Sequence, residues 1–72
     1  MNVQTALVSQ LQAMDSEFNN RKDKSIAKIN AQAILDNLRQ IINSNKADAF
    51  VISNKDKITM ALKMAQDKIN AL

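Results

Sequence analysis

The sequence predicts an all-α fold, a small antiparallel helical bundle, and three observations indicate it. The 72 residues include no glycine and no proline, whereas average usage of about 7% and 5% would give roughly eight of them. These two residues most readily break helices and fill turns with positive φ. Apolar residues recur at three- and four-residue steps, as on one face of a helix. The one run that would suit a strand, residues 50–52, has no second strand to pair with.

The length predicts a single domain, residues 1–72, built from three long helices and one short helix. A domain of this size has a small core that is hard to stabilise alone. The chain also contains no cysteine and no histidine, which excludes disulfides and the usual zinc ligands as additional constraints. We therefore expect very regular helix packing, self-association or a permanent partner to supplement the core.

Helix 1 is predicted over about residues 2–20. Its apolar residues form a narrow stripe that resembles the seam of a coiled coil, namely Val3, Leu7, Leu11, Met14 and Phe18. Asn19-Asn20 is the predicted stop, because asparagine best replaces glycine in a left-handed C-cap. Asp23 or Ser25 can then cap the next helix. The alternative is one continuous helix through residue 43, since nothing in this segment forbids it sterically.

Helix 2 is predicted over about residues 25–43, and it is apolar on two sides. Its broad face consists of Ala27, Ala31, Ile34, Leu35, Leu38, Ile41 and Ile42. A second stripe, formed by Ile26, Ile29 and Ala33, lies on nearly the opposite side. A helix of this kind usually touches more than one neighbour, so helix 2 is the predicted centre of the domain. In a monomer the second stripe would be covered by helix 1 or the last helix, and in a dimer by a symmetry mate.

A short helix near residues 46–52 and a last helix over about residues 54–71 complete the bundle. The segment Asn43-Ser44-Asn45 favours caps and turns, and Asn45 with Asp48 can start the short helix. The apolar face of the short helix would be Ala47, Phe50 and Val51. Ser53 and Asp56 resemble a capping box with aspartate in place of glutamate. The last helix is predicted to bury Ile58, Ala61, Leu62, Ala65, Ile69 and Leu72.

Two groups of apolar residues are candidate partner-binding contacts. Met60 and Met64 lie one helical turn apart along the flank of the last helix, among several lysines. Flexible thioethers suit an adaptable protein-binding patch, although methionines at this spacing more often widen the core face of a helix. Ile26 and Ile29 of the second stripe are the other candidates. Dimerisation is predicted to use this stripe or helix 1.

The most basic segment contains Arg21, Lys22, Lys24 and Lys28, opposed only by Asp23. Such a cluster can neutralise a few phosphates and give salt-sensitive, sequence-independent binding. However, the net charge of +3 is a mild excess, and the chain has no tyrosine or tryptophan on which bases could stack. A solvated loop between helices explains the same residues, so nucleic acid is a disfavoured partner.

The sequence offers no candidate catalytic, cofactor-binding or metal-binding residue. Without histidine or cysteine the hydroxyl groups have no usual activating base, and without glycine no phosphate-binding loop can form. The carboxylates fall at predicted polar, cap or turn positions, namely Asp15, Glu17, Asp23, Asp36, Asp48, Asp56 and Asp67. We therefore expect a protein that is not an enzyme and that needs no cofactor.

These observations predict a small cytoplasmic module that binds a protein partner, itself or both through apolar helix faces. It would be an adaptor, an assembly chaperone or an inhibitor-like regulator, with no membrane partner, because the longest apolar run (residues 49–52) is far shorter than a span needs. The alternatives are weak nucleic-acid binding through the basic segment and a self-assembling structural subunit. The abundance of lysine, asparagine and isoleucine suits an AT-rich genome, as in many bacteria and phages.

Overall fold

The computed structural model describes residues 2–72 and confirms the all-α fold. The helices are α1 (Val3–Asn20), α2 (Lys24–Ser44), α3 (Ala49–Ser53) and α4 (Lys55–Asn70). The central helix α2 packs against both α1 and α4, while the short helix α3 contacts α1 and α4. The described residues contain no strand, so the segment Phe50-Val51-Ile52 is helical.

The three long helices run up, down and up. The three-residue connection after α1 reverses the chain, and Glu17 near the end of α1 accepts a hydrogen bond from Asn30 in the first half of α2 (2.6 Å). Gln32 of α2 and Gln66 of α4 exchange two hydrogen bonds, at 3.2 and 2.9 Å. The early part of α2 thus meets the late part of α4. Both α1 and α4 are therefore antiparallel to α2 and parallel to each other.

The hydrophobic core lies along one face of α2. The buried residues are Leu7, Met14, Phe18, Ala27, Ala31, Leu35, Leu38, Val51 and Ile69. Four of them come from the broad face predicted for α2, and two of those four are alanines, whose small side chains let neighbouring helices approach closely. The prediction that helix 2 is the centre of the domain is confirmed. Its second apolar stripe is not covered by either neighbour.

Asp23 separates α1 from α2. Its carboxylate accepts hydrogen bonds from the backbone N–H groups of Ser25 (3.0 Å) and Ile26 (3.4 Å), as an N-cap does. Arg21 has an extended backbone (φ −80°, ψ 122°), so the alternative of one continuous helix is wrong.

The predicted left-handed cap at Asn19-Asn20 is also wrong, although α1 does end at Asn20. No residue from 2 to 72 has a positive φ. Instead, the Lys24 ammonium donates a hydrogen bond to the carbonyl of Phe18 (2.9 Å). This bond satisfies one of the carbonyl groups that a helix C-terminus leaves without a partner.

The short helix begins three residues later than predicted, because its N-cap is Asp48 and not Asn45. The Asp48 carboxylate accepts hydrogen bonds from the backbone N–H groups of Phe50 (2.9 Å) and Val51 (3.4 Å). Phe50 and Val51 pack inward as predicted. Ala47 was expected on the same face, but it is exposed and precedes the helix, in the turn that follows α2.

The capping box predicted at Ser53 and Asp56 is wrong. Ser53 is the last residue of α3, and Asn54 alone separates α3 from α4. Asn54 makes no side-chain cap bond to α4, because its amide group donates to the carbonyl of Phe50 instead (2.9 Å). One residue thus ends one helix and begins the next.

Candidate protein-interaction surfaces

Many large apolar side chains of this small protein lie outside the core. The exposed ones are Val8, Leu11, Ile26, Ile29, Ile52, Met60 and Met64, and they include all four predicted partner contacts. Single exposed apolar residues are normal, whereas contiguous apolar patches mark interaction sites. The exposed residues that lie next to one another on the folded protein are therefore the candidates for an interaction site.

A shallow cleft of about 280 Å³ lies between α1 and α4, and we call it the α1–α4 cleft. It is lined by Leu11, Met14, Asp15, Phe18, Ala61, Met64, Ala65 and Lys68. The cleft exists because α1 and α4 both pack on α2 and their backbones scarcely approach each other. Its floor is buried Met14 and Phe18, and its rim includes Leu11 (40% exposed) and Met64 (64% exposed).

The two methionines lie on the side of α4 that faces away from α2. Gln66 points toward α2, because it is hydrogen-bonded to Gln32. A helix turns by about 100° per residue, so Met64 lies roughly 160° around the helix from Gln66. Met60 continues the same exposed surface one turn earlier. The pair therefore does not widen the buried core, which was the alternative interpretation.

Charged groups flank the apolar floor of the cleft. The Lys68 ammonium lies 4.7 Å from the centre of the Phe18 ring, a cation–π arrangement, and Asp15 lines the cleft from α1. The cleft thus presents an apolar base with one cation and one anion among its lining residues.

Leu11 and Ala61 do not belong to the core, contrary to the prediction. Both were expected to be buried in the stripes of their helices, and both are exposed. The reason is the open arrangement of α1 and α4 around α2, which leaves the residues between the two outer helices in contact with solvent. Their exposure extends the apolar surface of the cleft.

The second stripe of α2 forms a separate surface, which we call the α2 stripe. Ile29 is 70% exposed, and Ile26 and Ala33 are also exposed. The stripe lies on the outer side of α2, whereas Met64 lies on the side of α4 away from α2. The structure therefore does not bring the two predicted pairs together, and the molecule has apolar residues on two opposite surfaces.

Two of the four predicted phosphate-binding cations already have partners within the chain. Arg21 donates from Nε and Nη2 to the carboxylate of Glu17, at 3.0 and 2.9 Å, and Lys24 caps α1 as described above. Lys22 and Lys28 have no salt bridge within residues 2–72. The basic segment is thus partly neutralised by its own structural contacts.

The pKa shifts in this region also reflect structural contacts. The hydrogen bond from Arg21, followed by that from Asn30, lowers the pKa of Glu17, and the same pairing raises the pKa of Arg21. The Ser25 hydroxyl and the backbone N–H groups of α2 lower the pKa of Asp23. A general acid or base that acts near pH 7 needs a carboxyl pKa shifted in the opposite direction.

No metal site is formed by the part of the chain that the structure describes, because no three acidic side chains come together there. None of the helices within residues 2–72 is long and apolar enough to cross a membrane.

A further cavity, which we call the corner pocket, was missed by sequence reasoning. It has a volume of about 520 Å³ and is lined by Ile42, Lys46, Val51, Ile52, Lys55, Ile58, Thr59 and Leu62. These residues come from α2, α3, α4 and the turn after α2, so no single helical stripe indicates them. In the sequence, only Ile52 hinted at this pocket, because it is an apolar residue outside the predicted apolar face of the short helix.

Comparison with known proteins found no matching family model, no matching curated protein and no matching solved structure. Function is therefore inferred from the surfaces of the molecule alone.

Proposed function

We propose that this protein is a small, non-enzymatic interaction module of the cytoplasm that binds a helix of a partner protein in the α1–α4 cleft. It would act as an adaptor, an assembly chaperone or an inhibitor-like regulator. One observation carries the proposal: exposed Leu11 and Met64 lie on either side of an apolar floor formed by Met14 and Phe18. A cysteine-free chain suits a reducing compartment.

The shape of the cleft favours a helix as the bound element. Two parallel helices form a groove with apolar walls, and an amphipathic helix inserts apolar residues spaced three and four apart into such a groove. Met60 and Met64 supply flexible, polarizable contacts that adapt to the shape of the partner. Affinity would come chiefly from burial of these side chains, at about 25 cal/mol per Å² of apolar surface, less the costs of association.

The non-enzymatic part of the proposal rests on the charged groups. The carboxylates with shifted pKa values, Glu17 and Asp23, are held ionised by structural hydrogen bonds. Neither lines the α1–α4 cleft. The cleft offers one carboxylate, Asp15, and one ammonium, Lys68, and no nucleophile or base of the usual kinds.

The test is affinity capture from a lysate treated with nuclease and washed with about 0.5 M salt, which screens contacts between exposed charges. Met64→Asp is compared with Ile29→Asp, the same kind of change at a similarly exposed residue on the opposite surface. We expect one stoichiometric protein to be retained by the wild type and by Ile29→Asp and lost by Met64→Asp. Loss of all bound protein after nuclease or salt, or retention by Met64→Asp, would contradict the proposal.

The α2 stripe supports a second candidate function, weak self-association. Ile29 is the most exposed of the large apolar residues, and a helix stripe placed on a two-fold axis would cover its own copy. The stripe consists of two isoleucines and one alanine, which is less than the usual size of a stable interface. The dimer would therefore be weak, and partner binding in the α1–α4 cleft would not depend on it.

Nucleic-acid binding has less support, because Arg21 and Lys24 are already engaged by Glu17 and Phe18. A labelled DNA duplex titrated with the protein at about 0.15 M salt tests this alternative by fluorescence anisotropy. We expect no saturable binding. Binding that disappears in a Lys22→Glu, Lys28→Glu double variant would establish the alternative, and these two positions avoid the disturbance of the α1–α2 turn that a change at Lys24 would cause.

A further inference from the structure

The corner pocket is built from three helices at the end of the molecule where α2 gives way to α4. With a volume of about 520 Å³ it is larger than the α1–α4 cleft, and it falls within the range of small-molecule sites, about 300–1,000 Å³. None of its lining residues is shared with the α1–α4 cleft. A ligand bound here would therefore occupy a site separate from the proposed partner-binding surface.

The interior of the corner pocket is apolar. Val51 of α3 is buried, and Ile42, Ile58 and Leu62 are half-buried against the core. Ile52, 61% exposed, adds an apolar side chain on the α3 side. This lining would suit a hydrocarbon chain, because each buried methylene group contributes about 0.8 kcal/mol in principle.

The charged residues of the pocket are all cations. Lys46 and Lys55 line it together with the neutral Thr59, and no carboxylate does. Neither lysine has a salt bridge to any carboxylate between residues 2 and 72. The Thr59 hydroxyl donates to the carbonyl of Lys55 (2.9 Å). The polar part of the pocket is thus complementary to a negatively charged group.

The pocket is held in shape by local hydrogen bonds. The Asn45 amide donates to the carbonyl of Ile41 (2.7 Å), and the Asn54 amide donates to the carbonyl of Phe50 (2.9 Å). Asp48 caps α3 between these two bonds. These bonds fix the backbone on both sides of α3, so the ordering cost of binding would fall mainly on the two lysine side chains.

We propose that the corner pocket binds a single-chain anionic amphiphile, such as a medium-chain fatty carboxylate. The hydrocarbon chain lies among Ile42, Ile58 and Leu62, and the carboxylate lies between the ammonium groups of Lys46 and Lys55. Charge-assisted hydrogen bonds to the ligand orient it with its head at the lysines. A cation of the same chain length lacks these bonds and is repelled.

The first test is a titration of the intact, isotope-labelled protein with dodecanoate below its critical micelle concentration, followed by methyl NMR. Dodecyltrimethylammonium, which has the same chain and the opposite charge, is the matched control ligand. We expect saturable shifts of the Ile42, Ile52, Ile58 and Leu62 methyl groups with dodecanoate, and binding at least tenfold weaker with the cation.

The second test uses two double variants that remove the same charge. Lys46→Gln with Lys55→Gln should weaken dodecanoate binding about tenfold, whereas Lys57→Gln with Lys63→Gln, which lie outside the pocket, should change it less than about twofold. Ile52→Asp provides a separate check, because an exposed side chain tolerates the change and the new charge repels the carboxylate. Circular dichroism establishes that each variant is folded.

Three results would overturn the proposal: no saturable binding of dodecanoate, equal binding of both amphiphiles, or shifts centred on the α1–α4 cleft instead of the corner pocket. Met64→Asp should bind dodecanoate as the wild type does, since Met64 does not line the pocket. The outcome is thus independent of the proposed partner binding.

Discussion

Glu17 is the polar side chain that joins α1 to α2 most directly. Its carboxylate accepts hydrogen bonds from Arg21 of the α1 C-cap and from Asn30 of α2. Its side chain is only 12% exposed, whereas that of Arg21 is 45% exposed. The pair is thus more than a surface i, i+4 salt bridge, because it also fixes the position of the second helix.

Stability should fall in acid through Glu17. Its pKa is lower in the folded protein than its ordinary value of 4.5, so its contribution is complete above that ordinary value and is lost as the pH falls through the folded pKa. We expect Glu17→Gln to lower the urea midpoint of unfolding at pH 7. As the pH falls, the midpoint of this variant should decrease less than that of the wild type. Arg21→Gln removes the hydrogen bond that contributes most to the lowered pKa of Glu17. This variant should therefore show most of the same loss of stability and of acid dependence. An acid dependence identical to that of the wild type in both variants would contradict this assignment.

Leu35 should be among the most sensitive residues of the core. Its side chain is fully buried, and Leu→Ala at such a position costs about 2–5 kcal/mol, which includes the cavity left behind. Ile29→Ala, an exposed change on the same helix, should cost less than about 0.5 kcal/mol. Urea unfolding followed by circular dichroism measures both, since the chain has no tryptophan or tyrosine for fluorescence. Equal costs would contradict the placement of Leu35 in the core.

The helix boundaries were predictable where a short-range side chain fixes them. Asp23, one of the two residues predicted to cap α2, accepts the expected N-cap hydrogen bonds. The short helix was expected to start at Asn45, but Asp48 is its cap, so residue type indicated a helix start in this segment without fixing the residue. The boundary at Asn54 was not predictable in the same way. Its amide group is hydrogen-bonded to the carbonyl of Phe50 in α3 and is therefore not available to cap α4. The cap at Asn54 thus depends on both helices and not on residue type alone. The left-handed cap at Asn19-Asn20 failed for a similar reason, because Lys24 from the next helix supplies the bond.

The short helix α3 offers a direct test of which cap operates. Asp48→Ala removes the acceptor of the Phe50 and Val51 N–H groups and should cost about 1 kcal/mol. Ser53→Ala should cost much less, because Ser53 lies at the end of α3 and makes no side-chain hydrogen bond to the start of α4. Urea unfolding of the two variants distinguishes the caps. A larger cost for Ser53→Ala would restore the capping box that the structure contradicts.

The whole molecule is only 16 Å thick, and its other extents are 38 and 22 Å. Packed helix axes lie about 8–10 Å apart and Cα atoms lie about 2.3 Å from each axis, so this thickness corresponds to two layers of helices, with α2 in one and the outer helices in the other. Periodicity predicted which residues of each helix are apolar. It could not predict which of those residues remain exposed, because coverage depends on how far apart α1 and α4 lie. The exposure of three apolar residues could not be predicted for this reason, namely Leu11, Ile29 and Ala61.

Two copies of the molecule should associate weakly through the α2 stripe. The stripe is narrow, so a dimer would bury little area, and we expect a Kd of about 100 µM or weaker. Light scattering with refractive-index detection should then give a mass near 8.0 kDa at low concentration, rising toward twice that value as the concentration increases. Growth well beyond a dimer would instead indicate the self-assembling structural subunit.

Ile29→Asp decides whether the stripe is responsible. The side chain is 70% exposed, so the variant should fold with the helical content of the wild type, while the new carboxylates would repel each other across a two-fold axis and would have to be desolvated. We expect it to stay near the monomer mass at concentrations where the wild type dimerises. Met64→Asp, on the opposite surface, should still dimerise. An unfolded Ile29→Asp protein would assign the stripe to the core, and a dimer lost only in Met64→Asp would place self-association in the α1–α4 cleft, where it would compete with the partner helix.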